Sequence, residues 1–397
     1  MSGPTGALEA LLAATHLVVP DDVARAIDDH ARAIGATGAS LHLVDLDQRW
    51  LVPLHTDGSM GLPIAVDGTL AGRCYRSLSM VETVDGGTRS LWAPILDGTQ
   101  RLGVLRFEVP VATDVDRELV LGYSGLVAEL VMTKSAYGDL FEVARRRRPI
   151  SVAAELLWQL LPPLTFATED LVVTAALTPT GDIGGDAFDY GVDARTADVA
   201  IFDGLGHGLD AGLMATTAVA AYRNARRSGF DLPGAARHIG DAVGGQFGPS
   251  KFVTGVLLSL DRASGRLSWC IAGHPPPLLL RHGHVVKTLD ADTGMPFGVG
   301  PSSSVLHEQL EPGDRILLHT DGVTEARPPG GEFFGVARLT DFVAHHGDDP
   351  LPEMMRRLVH AIEDHNAGAV RDDATVVVVE WRGDGPAGLV VDPTPAG

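Results

Sequence analysis

Aspartate beside glycine, a β-branched residue or a second aspartate recurs at four points in the C-terminal half of this chain. The clusters are Gly184-Gly185-Asp186, Asp203-Gly204-Leu205-Gly206-His207-Gly208, Thr320-Asp321-Gly322 and Asp372-Asp373-Ala374-Thr375. Carboxylates gathered from distant parts of a sequence repel one another unless a cation lies between them. Oxygen-only donors of this kind suit hard divalent ions, which keep several waters. A pair of such ions sharing carboxylates can hold both a nucleophilic water and phosphate oxygens, so the pattern points to hydrolytic phosphoryl chemistry. Glycine at these points has its own reason: backbone must approach a metal closely, and a carbonyl ligand is easiest to supply where no Cβ intrudes.

Strands must present these residues. Apolar runs predict strands over 171–176, 188–191, 198–203, 253–261, 266–272, 277–281, 315–320 and 374–381, and 3.6-residue periodicity predicts helices over 208–228, 233–247, 336–346 and 352–366. This is the pattern of two sheets stacked inside helical layers. Upstream, a helix over 21–36 precedes strands at 40–44, 50–54, 80–83, 90–95 and 102–108, separated by Gly/Asp turns, with a short helix at 68–76. A long helix over 114–148 leaves this half and stops at Pro149, whose ring cannot continue the hydrogen-bond ladder. A second helix, 151–161, opens on Ser151 as N-cap.

The 397 residues exceed one ordinary core, so two domains are expected. A net charge of −20 argues against nucleic acid or an anionic membrane as principal partner. The basic run Arg145 to Arg148 reads as a solvated helix end. Cys74 and Cys270 lie far apart, which fits a reducing cytoplasm rather than a disulfide framework. No signal peptide and no apolar run of ~18 residues is evident.

In order, Gly181 to Tyr190, Asp203 to Gly208 with Ala211, Ala272-Gly273-His274-Pro275-Pro276-Pro277, Thr320 to Ala326 and Asp372 to Thr375 resemble the motif series of the SpoIIE/RsbU branch of metal-dependent (PPM-type) protein phosphatases. Five motifs in register are specific where any one is weak. The N-terminal half is similar in layout to a GAF sensor domain, including the strand Leu91 to Ile95 and the strand after the Asp97-Gly98 turn. The resemblance implies an α+β chain: an N-terminal extension (1–14), a GAF-like sensor (15–140), a helical linker or switch (141–163), a PPM-type α/β sandwich (164–382) and a disordered tail (383–397). It further implies two Mn²⁺ or Mg²⁺ ions held by Asp186, Asp203 (bridging), the Gly204 carbonyl, Asp321 and Asp372, with a water as nucleophile. By the same resemblance the substrate is a phosphorylated anti-anti-sigma (STAS) protein in a bacterial partner-switching pathway. The phosphate-binding arginine of the larger eukaryotic-type members has no equivalent ahead of the first motif.

Other residues read more plainly. His207 has a structural role at a helix start, His274 and Asp182 are turn residues, Glu325 is a neighbour of the ligands, and Cys270 is an inert core thiol. Asp189 either orients the first motif or is solvated. Cys74, Trp92 and His42 read as core, with any sensor ligand unknown. Apolar positions on the 114–148 helix suit a parallel homodimer, though clean heptads are missing. Two competing functions remain. One is a catalytically silent binding module of the same pathway. The other is a nucleotide cyclase, whose hairpin needs acidic residues where Ala187-Phe188 stand.

Overall fold

The computed structural model describes residues 4–147, 149–178, 184–292, 294–347, 349–366 and 373–383. Asp182, Arg148, Asp372 and the tail beyond residue 383 lie outside the described residues. The chain divides into two compact units, with the boundary between Pro149 and Ile150.

The N-terminal unit begins with α1 (Pro4–Thr15) and α2 (Val23–Ala31) and continues through β1 (Gly38–Val44), β2 (Trp50–Leu54) and β3 (Ile64–Ala65). Then come α3 (Leu70–Ser77), β4 (Val81–Asp85), β5 (Thr88–Asp97), β6 (Gln100–Pro110), α4 (Arg117–Ser135) and α5 (Leu140–Arg145). The strands form one antiparallel sheet in the order β3-β2-β1-β6-β5-β4. Period-two alternation gives the sheet two buried faces. Leu91, Ala93 and Ile95 of β5 join Leu105 and Phe107 of β6 under Ile27, Tyr123 and Val127 of the helices. Trp92 and Val104 point the other way and pack with Cys74 and Tyr75 of α3. Cys74, Trp92 and His42 are all core residues, and the His42 ring meets Trp92 edge-on at 5.2 Å.

Two differences from the sequence reading stand out here. Residues 4–15, read as an extension, form a helix whose Leu11 is fully buried in the unit's core. The long helix is two helices: α4 stops at Ser135, and α5 restarts after Asp139. Gly138 passes so close to Pro20 that a Cβ there would lie 2.9 Å from the proline ring. Phe141 and Ala144 of α5 then turn back into the same core as α4. The apolar stripe read as a dimer seam is interrupted with the helix.

The C-terminal unit runs α6 (Val152–Leu160), β7 (Thr165–Ala167), β8 (Leu171–Thr178), β9 (Asp186–Val192), β10 (Thr196–Gly204), α7 (Leu209–Arg227) and α8 (Leu232–Phe247). It continues with β11 (Val253–Asp261), β12 (Arg266–Ala272), β13 (Leu278–Arg281), β14 (His284–Thr288), β15 (Leu306–Gln309) and β16 (Arg315–His319). The last elements are α9 (Asp321–Thr324), α10 (Gly335–His346), α11 (Leu351–His365) and β17 (Ala374–Trp381). Two antiparallel sheets result, β15-β12-β11-β10-β9 and β14-β13-β16-β17-β8-β7. Phe188, Ile201, Val256 and Trp269 of the first meet Val173, Ile316, Leu318 and Val377 of the second in a shared core. The first sheet's opposite face carries Ala187, Ala200, Phe202 and Cys270 against Met214, Ala218 and Tyr222 of α7 and Ile239 of α8. α11 packs on the second sheet through a buried row that includes Met354, Leu358 and Ile362. Burial on both faces explains why β17 reads as an unbroken Val run: all eight of its residues are buried. The layered sandwich expected from the sequence is the fold observed.

Candidate metal centre

The sandwich opens at one end, and the acidic motifs collect there. β9 and β10 are antiparallel with Asp203 directly opposite Asp186, at the last rungs of their ladder. Alternation fixes the side on which both fall. Ala187 and Phe202 face α7, so Asp186 and Asp203 share the face between the sheets, beyond Phe188 and Ile201. Directly opposed like charges destabilise a sheet.

Asp186 is almost fully buried, and Thr320, the residue after β16, donates its hydroxyl to Asp186 Oδ2 at 2.7 Å. Thr320 is held in turn by the Thr375 amide, which donates to Thr320 Oγ1 at 3.1 Å. Asp373, just before β17, accepts from the Gly185 amide at 2.8 Å and less closely from the Asp186 amide at 3.4 Å. Burial, then the charges of Asp203 and Asp373, pushes the Asp186 carboxyl well above the usual carboxylate range. Asp321 is exposed and opens α9, one residue from Thr320.

The glycines earn their place by contact. A Cβ on Gly185 would lie 2.9 Å from the Gly204 carbonyl oxygen, and one on Gly204 would lie 2.7 Å from the Ala211 carbonyl. The Gly204 amide donates to the Gly185 carbonyl at 2.9 Å, which joins the two motifs backbone to backbone. From below, Ala153 of α6 sits 3.0 Å from where a Gly184 Cβ would stand and 3.2 Å from that of Gly212.

His274 ties the sheets together near this end. Its Nδ1 is 2.8 Å from the hydroxyl of Thr254 on β11, and its Nε2 is 3.1 Å from the carbonyl of His319 on β16. Burial first, and the His319 ring second, lowers its pKa to about 3. It is thus a neutral brace between the sheets, beyond the turn residue expected from the sequence. His207 is exposed in the turn before α7. Glu325 is exposed just after α9, and burial pushes the Cys270 thiol up to about 11.

Among the described residues, no group of three or more His, Cys, Asp and Glu side chains is arranged to hold a metal ion. Asp186 and Asp203 are brought together, Asp321 stands at the rim, and Asp372 lies outside the described residues. The donor set nonetheless fits a hard divalent cation. A buried carboxylate opposite a second, with a third nearby, is charge-frustrated until a cation joins it.

Residues 193–382 match the family described as Stage II sporulation protein E (SpoIIE). Over those residues the C-terminal unit matches a SpoIIE-type domain. The match begins after Asp186 and includes Asp203, Asp321 and Asp372. Phosphoserine phosphatase RsbU of Bacillus subtilis (strain 168) is 24% identical over 236 residues, 59% of this chain and 70% of that protein. Phosphoserine phosphatase RsbP of the same organism is 22% identical over 226 residues, 55% of this chain and 54% of RsbP. The solved RsbU and RsbW domains of Rv1364c from Mycobacterium tuberculosis are 25% identical, with a TM-score of 0.48, over 55% of this chain and 63% of that one. The chain therefore spans less than two thirds of the length of RsbP and of the Rv1364c structure.

Three contributors to the SpoIIE-type site escaped the sequence reading. Thr320 was visible only as the residue before an expected ligand, and its hydroxyl proves to be the partner of Asp186. Asp373 was the second member of an acidic pair, and it secures the first motif's backbone. Asp189, left open between solvation and a supporting role, is 1% exposed. It accepts from Arg223 Nε at 2.9 Å, Arg223 Nη2 at 2.7 Å and Arg226 Nη2 at 2.6 Å. The arginines recur three apart on a predicted helix, the one signal that could have found them.

Proposed function

We propose that the SpoIIE-type domain hydrolyses phosphoserine or phosphothreonine on a regulatory protein, of the anti-anti-sigma (STAS) type in a partner-switching pathway. The observation that carries this is the register-locked pair of a buried Asp186 and a half-buried Asp203 where the two sheets end. The names of RsbU and RsbP, both phosphoserine phosphatases, support the substrate class. In this reading Asp186, Asp203, the Gly204 carbonyl, Asp321 and Asp372 hold two Mn²⁺ or Mg²⁺ ions. Such ions supply Lewis acidity, which makes water a nucleophile at neutral pH and offsets the phosphoryl charge. The chain's own residues provide placement. Thr320 fixes the rotamer of Asp186, Asp373 fixes the backbone beneath it, and the Gly185–Gly204 contact keeps the second motif's carbonyl in place. No side chain is required as nucleophile or covalent carrier.

The N-terminal unit, over residues 15–140, is proposed as a GAF-like sensor that regulates hydrolysis, with residues 141–163 as the switch. The seating of α6 on Gly184 supports this, because a shift of that helix reaches the first acidic motif directly. The decisive assay is phosphate release from a phosphoserine STAS protein, with Mn²⁺ and with chelator, by wild type and Asp203→Asn. Metal-dependent turnover lost in the variant is the expected result. A wild type that binds the phosphoprotein, binds no metal and releases no phosphate would instead be the silent binding module.

A further inference from the structure

The loop that follows α9 carries a surface that the metal centre does not use. It leaves the Asp321 helix with the Glu325 amide on the Asp321 carbonyl at 2.7 Å, and it closes when the Phe334 amide reaches the Ala326 carbonyl at 2.7 Å. The loop is braced from two helices. Arg338 of α10 donates to the carbonyls of Phe333 and Phe334 and pairs with Glu332 at 3.1 Å. His365 at the end of α11 donates to the Glu332 carbonyl at 3.1 Å and packs edge-on against Phe334 at 5.5 Å.

On this fixed loop Phe333 is 45% exposed, and Val336, in the first turn of α10, is 46% exposed. Arg327 lies over the Phe333 ring, its guanidinium carbon 4.5 Å from the centroid. Among the described residues, nothing accepts a hydrogen bond from Arg327 and no carboxylate pairs with it. Arg338, which braces the same loop, is by contrast engaged with Glu332. A cation–π contact fixes the guanidinium plane and leaves its five N–H donors unused. An arginine and an aromatic held rigid beside a catalytic opening have the composition of a binding hot spot. In a chain of net charge −20, this cation is also the complement that an acidic partner needs.

We infer that Arg327, Phe333 and Val336 form the docking surface for the phosphoprotein substrate. Arg327 takes an acidic side chain flanking the phosphoserine, and Phe333 with Val336 takes an apolar one. The inference rests on the phosphatase reading above and names how that site recognises a protein rather than a small phosphate ester. Its place follows from connectivity: Thr320 touches Asp186, Asp321 opens α9, and the loop leaves the end of that helix.

The test is steady-state kinetics of the full chain with Mn²⁺ on two substrates, a phosphoserine STAS protein and p-nitrophenyl phosphate. The variants are Arg327→Ala, Arg327→Lys and Phe333→Ala. Arg327→Ala and Phe333→Ala are each expected to raise KM for the phosphoprotein about tenfold at unchanged kcat. Turnover of p-nitrophenyl phosphate stays within about twofold, and Arg327→Lys recovers part of the loss. Equal losses on both substrates would put Arg327 at the phosphoryl group and overturn the docking assignment. An unchanged KM for the phosphoprotein overturns it as well. Wild type that hydrolyses only p-nitrophenyl phosphate overturns it while leaving the hydrolase standing. Wild type inactive on both would sink the phosphatase reading, and the docking surface with it.

Discussion

Asp186 and Asp189 stand three residues apart on one strand, 3% and 1% exposed, yet their surroundings are opposite. Asp189 faces α7 and is neutralised by Arg223 and Arg226. Asp186 faces the gap between the sheets, where its charged neighbours are Asp203 and Asp373 and the hydroxyl of Thr320 donates to it. A buried carboxylate that the chain itself neutralises is a structural fastener. One that the chain surrounds with more carboxylates is, in the proposed reading, a place for a cation that comes from outside.

The largest expected effect concerns activity. Asp203→Asn removes one of the opposed carboxylates and should lower kcat for phosphate release about a thousandfold or more, on the order of 4 kcal/mol of transition-state stabilisation. Asp189→Asn, measured in the same assay, should change kcat far less.

The comparison reverses for stability without metal. Asp189→Asn leaves two arginines without their anion and should cost about 2–3 kcal/mol, below the usual range for a buried pair because both arginines are about one-fifth exposed. Asp186→Asn relieves repulsion and should stabilise the chelated protein by about 0.5–1 kcal/mol. Urea melts in excess chelator read both. A melt in which Asp186→Asn is the more damaging variant would break the distinction.

Much of this contrast was legible in the residues. The glycines and aspartates of the motifs, and the apolar runs before them, located the sandwich and the end at which it opens. β11, β12 and β17 lie where their patterns put them, because strands buried on both faces have little freedom of composition. β14 and β15 were missed since edge strands are largely exposed and their polar sequences carry no burial signal. The break at Gly138 was missed because it depends on Pro20, a contact more than a hundred residues away in sequence. Asp189 was left open for the same reason: its two arginines belong to another element.

Smaller effects refine the picture. Thr320→Val deletes the hydroxyl on Asp186 without changing side-chain shape and should weaken Mn²⁺ affinity tenfold to a hundredfold, measurable by calorimetric titration. His274 gives a pH signature. Its pKa is about 3 in the fold against 6.5 as a free side chain, so the unfolded chain binds the proton first as pH falls. The stability contributed by neutral His274 is fully present above pH 6.5 and is lost as pH drops towards 3. Stability curves of His274→Gln should therefore fall less steeply than those of wild type across that window.

The central claim is that the opposed pair on β9 and β10 is a cation site while the neighbouring aspartate is not. Calorimetric titration of Mn²⁺ into metal-free wild type, Asp186→Asn and Asp189→Asn tests it most directly. The account predicts saturable binding to wild type and to Asp189→Asn, and loss of binding in Asp186→Asn. Binding that survives in Asp186→Asn, or that is absent from wild type, would contradict it.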